Sequence, residues 1–282
     1  MRILVTGSAG KLGSITVQTL RKAGHHVTGI DLLESDTTDY FLDVQQLDSV
    51  IEFTVGYDAI IHTAALHGRH MDLNYIRQHF IDTNITGTLN LLNACVKNSI
   101  KRFLFTSTTS IYGNAMVDNE KAVWVTEELT PQPRDIYDIT KQACEELCRD
   151  FFEKEQIMTS VYRVGRFLPE SENLMLNHRL YRGLDERDGA EALRLGVEFN
   201  FKSFQIFNVS SGSSFEIDDL IELKSNPVHV IAKRIPKAIE IYKQKGWSFP
   251  ISIDRVYRSD KAANLLGYKP QFTFTFLLNQ LS

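Results

Sequence analysis

The sequence is short of cysteine and proline, has no long apolar run and carries no surplus of charge of one sign. Each shortage removes a class of protein. The cysteines Cys95, Cys144 and Cys148 are 3 among 282 residues; their odd number and lack of framework spacing read as reduced core residues, not a disulfide scaffold. The 7 prolines are scattered apart from Pro131 and Pro133, so no proline-rich linker divides the chain. No apolar stretch approaches the ~20 residues that span a bilayer. Strand-like residues from Arg2 leave no room for a leader, so the expectation is a cytoplasmic protein without a membrane partner. Lys+Arg 31 against Asp+Glu 35 gives a net charge of -4 without blocks of like charge, and the electrostatic footprint of nucleic-acid binding is missing. His67 and His70 have no cysteine or carboxylate near them in ligand order, so no metal is expected.

What is present is alternation. With 43% hydrophobic residues, the chain can bury one large core with a small lobe attached. Short β-rich runs ("RILVT", "HVTGID", "DAIIHTA", "KRFLFTS", "TSVYRV", "FQIFNV") alternate with helical-period runs, which reads as a parallel sheet with helices on both faces. Runs such as "AIIHTA" are apolar nearly throughout, as strands covered on both faces are. The segment "GRFLPESENLMLNHRLYRG" and most of the chain after Val209 break the pattern. The fold class is therefore α/β, a doubly wound parallel sheet of Rossmann type over 1–165 and 184–210. A small substrate-binding lobe over 166–183 and 211–282 would cover the carboxyl ends of the strands, where such sheets bind ligands.

After the first strand, "TGSAGKLG" places Gly7, Gly10 and Gly13 at the mouth of a helix. A helix amino end offers unpaired N–H groups and a positive dipole end, so a pyrophosphate can sit there when no side chain blocks the backbone. Gly7 and Gly10 would clear that approach, and Gly13 would let helix and strand pack closely. The second strand ends on Asp31, near the ~20-residue distance at which a carboxylate reaches the adenosine ribose. No Arg or Lys follows in "DLLES", so a 2′-phosphate would meet repulsion and NAD is preferred to NADP. Lys11, inside the loop, is the counter-argument.

In "YDITK", Tyr137 and Lys141 stand four apart, one helical turn, which brings both to one face. A phenol whose pKa is lowered by a nearby ammonium can take or give a hydroxyl proton. About thirty residues earlier the hydroxyl-rich "TSTTSIYG" falls at the end of the strand "RFLF", where such a sheet presents catalytic groups. The ordered set "TGSAGKLG", Asp31, "HTAAL", "DTNITGTLNLL", "LFTSTTSIYG", "YDITK" and "RSDKAANLLGYKP" resembles the extended short-chain dehydrogenase/reductases across essentially the whole chain. The resemblance implies that Thr108 is the catalytic hydroxyl, Tyr137 the base, and Lys141 the residue that lowers its pKa and holds the nicotinamide ribose. It implies Asn84 as the support of that lysine. It also implies cofactor contacts from Gly7, Gly10, Lys11, Leu12, Gly13 and Asp31, from Asp43 and Val44 beside adenine, and from Ala64 and Ala65 on the path to the nicotinamide.

The family moves hydride between nicotinamide and a carbinol carbon; fold-level likeness does not name the carbinol. Thr109 and Ser110 follow Thr108 where sugar dehydratases carry an acid pair, so dehydration is disfavoured. The loop after the fifth long strand shares a look with uronate dehydrogenases and nucleotide-sugar epimerases. Its donors Arg166, Asn173, Asn177 and Arg179, with His67, Arg69 and Thr109, are the candidate contacts to a sugar, a sugar acid or a nucleotide sugar. Dehydrogenase is the main expectation and epimerase with retained NAD the alternative. A non-catalytic dinucleotide sensor is the third reading. The family's habit of pairing through the helices around 82–98 and 137–154 implies a homodimer.

Overall fold

The computed structural model describes residues 1–281. Strands and helices alternate from the start as β1 (Arg2–Thr6), α1 (Lys11–Lys22), β2 (His26–Asp31), β3 (Tyr40–Phe41), α2 (Leu47–Phe53) and β4 (Ala59–His62). Next, α3 (Arg77–Phe80) passes through a π-helical turn, Ile81–Thr86, into α4 (Gly87–Lys97). Then come β5 (Arg102–Thr108), a 3-10 segment over Thr109–Met116, β6 (Val123–Val125), α5 (Ile136–Glu155) and β7 (Met158–Val164). The remainder holds α6 (Glu172–Arg179), α7 (Glu186–Glu198), β8 (Gln205–Val209), α8 (Leu220–Ser225), α9 (Pro227–Arg234) and α10 (Pro236–Lys245). After these follow β9 (Arg255–Tyr257), α11 (Asp260–Leu266) and α12 (Phe274–Gln280).

Seven strands form one sheet in the order β3-β2-β1-β4-β5-β7-β8, all of its pairs parallel. Alternate side chains of each strand serve opposite faces: Ile3 and Val5 pack under α1 and α7 with Leu20 and Leu193, while Leu4, Ile60 and Phe103 meet Leu91, Cys144 and Cys148 of α4 and α5. All three cysteines are buried and free. The strand order reverses between β1 and β4, and the connections there part to leave a crevice at the carboxyl edge. Among the described residues, no helix is long and apolar enough to cross a membrane.

The second lobe has its own core of Leu176, Leu180, Phe215, Leu223, Ile231, Tyr242, Val256 and Phe274. Its limits differ from those drawn on the sequence at two places. Val123–Val125 pairs in parallel with β9 instead of joining the main sheet, since β7 already occupies the edge of β5. Ala262, Leu266 and Tyr268, expected in the lobe, pack instead into the core under α7. The π turn that joins α3 to α4 is a feature that recurs at functional sites, and Asn84 sits in it.

Candidate active site

A cavity of 1280 Å³ runs along the carboxyl edge of the sheet, from Asp31 and Asp43 to Arg182 and Arg255. Its first half is made of backbone. Gly7 turns at φ +71, and a Cβ there would stand 2.5 Å from the Ala64 nitrogen. A Cβ on Gly13 would overlap the Gly7 carbonyl oxygen. These two glycines are therefore required by backbone meeting backbone, whereas Gly10, at φ -70 on the N-cap of α1, has only the Gly7 oxygen at 3.2 Å from its missing Cβ. At Gly7 the loop of β4 is thus a reason for glycine besides an open approach for a ligand, and Gly7 itself lines the cavity. The amino end of α1 has no capping side chain and no acidic residue in its first turn, so its amides stay available to an anion.

The Asp31 carboxylate accepts from the amides of Ala9 at 2.9 Å, Leu32 at 2.7 Å and Leu33 at 3.0 Å, fixing it beside the glycine loop. Asp43 accepts from the Gln45 amide at 3.0 Å, and Asn90 Nδ2 donates to the carbonyls of Val44 and Gln45 at 3.0 and 2.9 Å, pinning that loop to α4. Ala64 is tied back to β1 through Thr6 Oγ1 at 3.3 Å, and both Ala64 and Ala65 line the cavity. Leu12 is buried in the core with one side on the cavity. Lys11 turns away from Asp31: its ammonium donates to the Phe167 carbonyl at 3.2 Å and lies 3.2 Å from Glu186.

The middle of the cavity holds Thr108, Tyr137 and Lys141. Thr108 ends β5, and its Oγ1 accepts from the Ser110 amide at 3.1 Å as the cap of the 3-10 segment. Tyr137 lies in the first turn of α5, which Asp135 caps. Burial pushes its phenol above the ordinary range, the Thr108 hydroxyl against it works the other way, and Asp138 and Asp135 add to the rise. Lys141, one turn on, donates to the Thr106 carbonyl at 2.7 Å over the Phe105 ring; burial brings its pKa down to about 8. The ammonium is thus turned to the strand, with the Thr106 carbonyl as its acceptor. Asn84 bonds the Leu66 amide at 2.9 Å, the Leu66 carbonyl at 3.0 Å and Thr140 Oγ1 at 2.9 Å. It fastens the β4 loop to α5 beside Lys141 without touching the lysine.

At the far end the sequence reading holds for position in some residues and fails in others. Thr109, His67, Arg69 and Arg166 line the cavity. Thr109 Oγ1 donates to the Val164 carbonyl, Arg166 pairs with Glu170 at 2.6 Å, and burial, with His70, Arg69 and Lys141 nearby, takes His67 down to about 4. Asn173, Asn177 and Arg179 are corrections: none of them lines it. Asn173 and Asn177 both donate to the Ser248 carbonyl, Asn177 also accepts from Tyr242, and Arg179 is buried against Asp185 and Ser211. The two amides and the Nη donors of Arg179 fasten α6 to the loop after α10, to Ser211 and to the start of α7. The sequence reading missed Arg134, Arg182, Arg255 and Tyr257, which do line the cavity, because no local spacing marks them. It also missed His62, buried between Thr6 and Thr88 at 2.6 and 3.1 Å and taken by burial, then Lys141, down to about 3. The buried Glu145–Arg163 pair at 2.6 Å, shared with Ser107 and Tyr112, was missed too; it braces the strand end that carries Thr108. Among the described residues, no group of His, Cys, Asp and Glu could hold a metal ion.

Fold and cavity together define a doubly wound α/β protein of the kind whose crevice takes a dinucleotide. A model of the NAD dependent epimerase/dehydratase family matches residues 3–177, and the chain belongs to that family. It is 31% identical over 175 residues to a UDP-glucose 4-epimerase of Pisum sativum, a match covering 55% of this chain and 48% of that enzyme. The chain therefore spans about half of that relative's length. The solved UDP-N-acetylglucosamine 4-epimerase from Bacillus cereus superposes with TM-score 0.71 at 26% identity, covering 100% of this chain and 97% of that one. MoeE5, solved in complex with UDP-glucuronic acid and NAD, shares the fold with TM-score 0.73 at 21% identity, covering 99% and 97%.

Proposed function

We propose that the protein is an NAD-dependent oxidoreductase that moves hydride between nicotinamide and a carbinol carbon of a sugar, sugar acid or nucleotide sugar. One observation carries this reading: a single cavity holds the open amides of α1 and Asp31 at one end and Thr108, Tyr137 and Lys141 at its middle. The residues present fit NAD, with the α1 amides for the pyrophosphate and Asp31 for the adenosine ribose. Asp31 would repel a 2′-phosphate, and Lys11 is engaged by Glu186 and Phe167, which favours NAD over NADP. When bound, NAD supplies the hydride acceptor or donor. Thr108 orients the substrate oxygen by a hydrogen bond. Tyr137, held protonated by burial, donates its proton to that oxygen in the reducing direction and takes it back in the oxidising one, for which its pKa must fall; a positive charge in the cavity lowers it. Lys141 spends one N–H on Thr106 and keeps the others for the cavity.

A second reading, epimerisation with retained NAD, draws on the epimerases among the relatives and uses the same three residues. The test is NADH absorbance with purified protein, NAD and a panel of free sugars, uronic acids and nucleotide sugars. Stoichiometric NADH with one compound establishes a dehydrogenase. A panel member that binds and is converted to its epimer without net NADH establishes the epimerase, and binding without conversion of any kind contradicts both.

A further inference from the structure

Tyr137 is followed in α5 by a carboxylate whose charge is shut away from water. Asp138 is 0% exposed and closes a box with the helix cap: its amide donates to Asp135 Oδ1 at 2.9 Å, and its Oδ2 accepts from the Arg134 amide at 3.3 Å. The Arg134 Nε lies 3.9 Å from the same oxygen. The other oxygen, Oδ1, has no partner in hydrogen-bond geometry; the Ser110 hydroxyl is the polar group near the carboxyl. Capping needs one oxygen. The second is a buried acceptor in a low dielectric, where a charge is least screened.

Charge at this place bears on the neighbouring phenol. The amino end of a helix favours an anion, so the first turn of α5 by itself would help Tyr137 lose its proton. Two carboxylates take up that field instead. Burial first, and then Asp138 and Asp135, push the phenol above its ordinary range against the Thr108 hydroxyl. The two carboxylates differ in their surroundings: Asp135 is half-buried and lines the cavity, whereas Asp138 is buried behind it. The cations nearby are Arg134, which is exposed to solvent, and Lys141, which donates to the Thr106 carbonyl. Burial raises the Asp138 carboxyl from 3.8, the Ser110 hydroxyl and Arg134 oppose the rise and Asp135 adds to it. In the alkaline range where a phenol titrates, Asp138 is an anion.

We infer that Asp138 is a positioning residue for the proton: its buried charge, one residue from Tyr137, holds the phenol in its acid form, so that Tyr137 stands ready to donate and must be driven to accept. The inference deepens the proposed hydride transfer and rests on it for the use of that proton alone. The test replaces Asp138 by Asn, which keeps an oxygen for the Arg134 amide and drops the charge. Tyrosinate absorbance of the NAD-loaded protein is followed from neutral to alkaline pH, each protein read against the same protein carrying Tyr137→Phe. Asp138→Asn should move the Tyr137 midpoint down by about one pH unit, and Asp138→Glu should keep it near the wild-type value. Hydride transfer in both directions gives a second readout that a helix cap alone would not move. Below the midpoint, oxidation in Asp138→Asn should run about tenfold faster at a given pH, while reduction keeps the wild-type rate. If Asp138→Asn does not fold, Asp138→Ser offers the Arg134 amide a neutral hydroxyl and should move the midpoint the same way. An unmoved midpoint, or one that stays beyond the alkaline limit of the fold in wild type and variant alike, overturns the inference and leaves Asp138 a cap only. An unchanged ratio of oxidation to reduction at a given pH likewise overturns it. A moved midpoint without hydride transfer on any sugar of the panel upholds Asp138 and overturns the activity, whereas hydride transfer with an unmoved midpoint does the reverse.

Discussion

The two ends of the cavity are built from different materials. At the glycine end the walls are backbone: Gly7 against the Ala64 nitrogen, Gly13 against the Gly7 carbonyl, and the Asp31 carboxylate held by three amides. At the opposite end they are long charged side chains from separate segments, Arg166 and Arg182 beside α6, Arg255 on β9 and Arg69 after β4. Backbone contacts have tolerances of a few tenths of an ångström and cannot relax by changing rotamer. Charged side chains exchange partners at little cost. The cavity thus joins a rigid backbone seat to a wall of charged side chains that can be replaced without moving the backbone.

The contrast breaks first at Gly13. Gly13→Ala drives a Cβ into the Gly7 carbonyl with backbone on both sides and should cost about 3 kcal/mol or more in urea unfolding; a variant of wild-type stability would show that the seat is not rigid. Lys141→Met comes next. The buried ammonium titrates at about 8 in the folded protein against 10.5 for the free side chain, so the unfolded chain binds the extra proton and stability rises as pH goes from 8 to 10.5. Below pH 8 the folded protein bears the whole cost. Removing the charge should end turnover yet raise stability at neutral pH by about 2 kcal/mol, and abolish the rise above pH 8; thermal melts across that range check both.

Asn177→Ala sharpens the comparison from the other side. The side chain serves Ser248 and Tyr242, so stability should fall by about 1 to 2 kcal/mol with KM unchanged. A raised KM at unchanged stability would return Asn177 to the substrate. The smallest effect at neutral pH is that of His62→Gln, about 1 kcal/mol. His62 stays neutral in the fold down to about 3 while the unfolded chain charges at 6.5, so the wild type loses stability as pH falls from 6.5 towards 3. The variant should flatten that limb of an acid unfolding curve.

The same division explains what the sequence made legible. Gly7, Gly10, Gly13 and Asp31 lie in or next to one β–α turn, and Tyr137 and Lys141 lie one helical turn apart; local spacing determines their placement, so it can be read. Strands covered on both faces announce themselves by unbroken apolar runs. Asn173, Asn177 and Arg179 were misassigned because an amide or guanidinium looks alike in sequence whether it faces a cavity or a carbonyl of its own chain. Arg182, Arg255 and the Glu145–Arg163 pair depend on contacts between distant segments, and no local period encodes those. The pairing of β6 with β9 joins residues more than a hundred positions apart, and it too was beyond a local reading.

The central claim is that Tyr137 moves the proton while the glycine end holds the cofactor. It is tested most directly by Tyr137→Phe, with NAD affinity and single-turnover hydride transfer measured on one preparation. The account predicts unchanged NAD binding and hydride transfer slowed by about a thousandfold, the scale of general acid–base catalysis. Hydride transfer at the wild-type rate would remove Tyr137 from the chemistry and contradict the account.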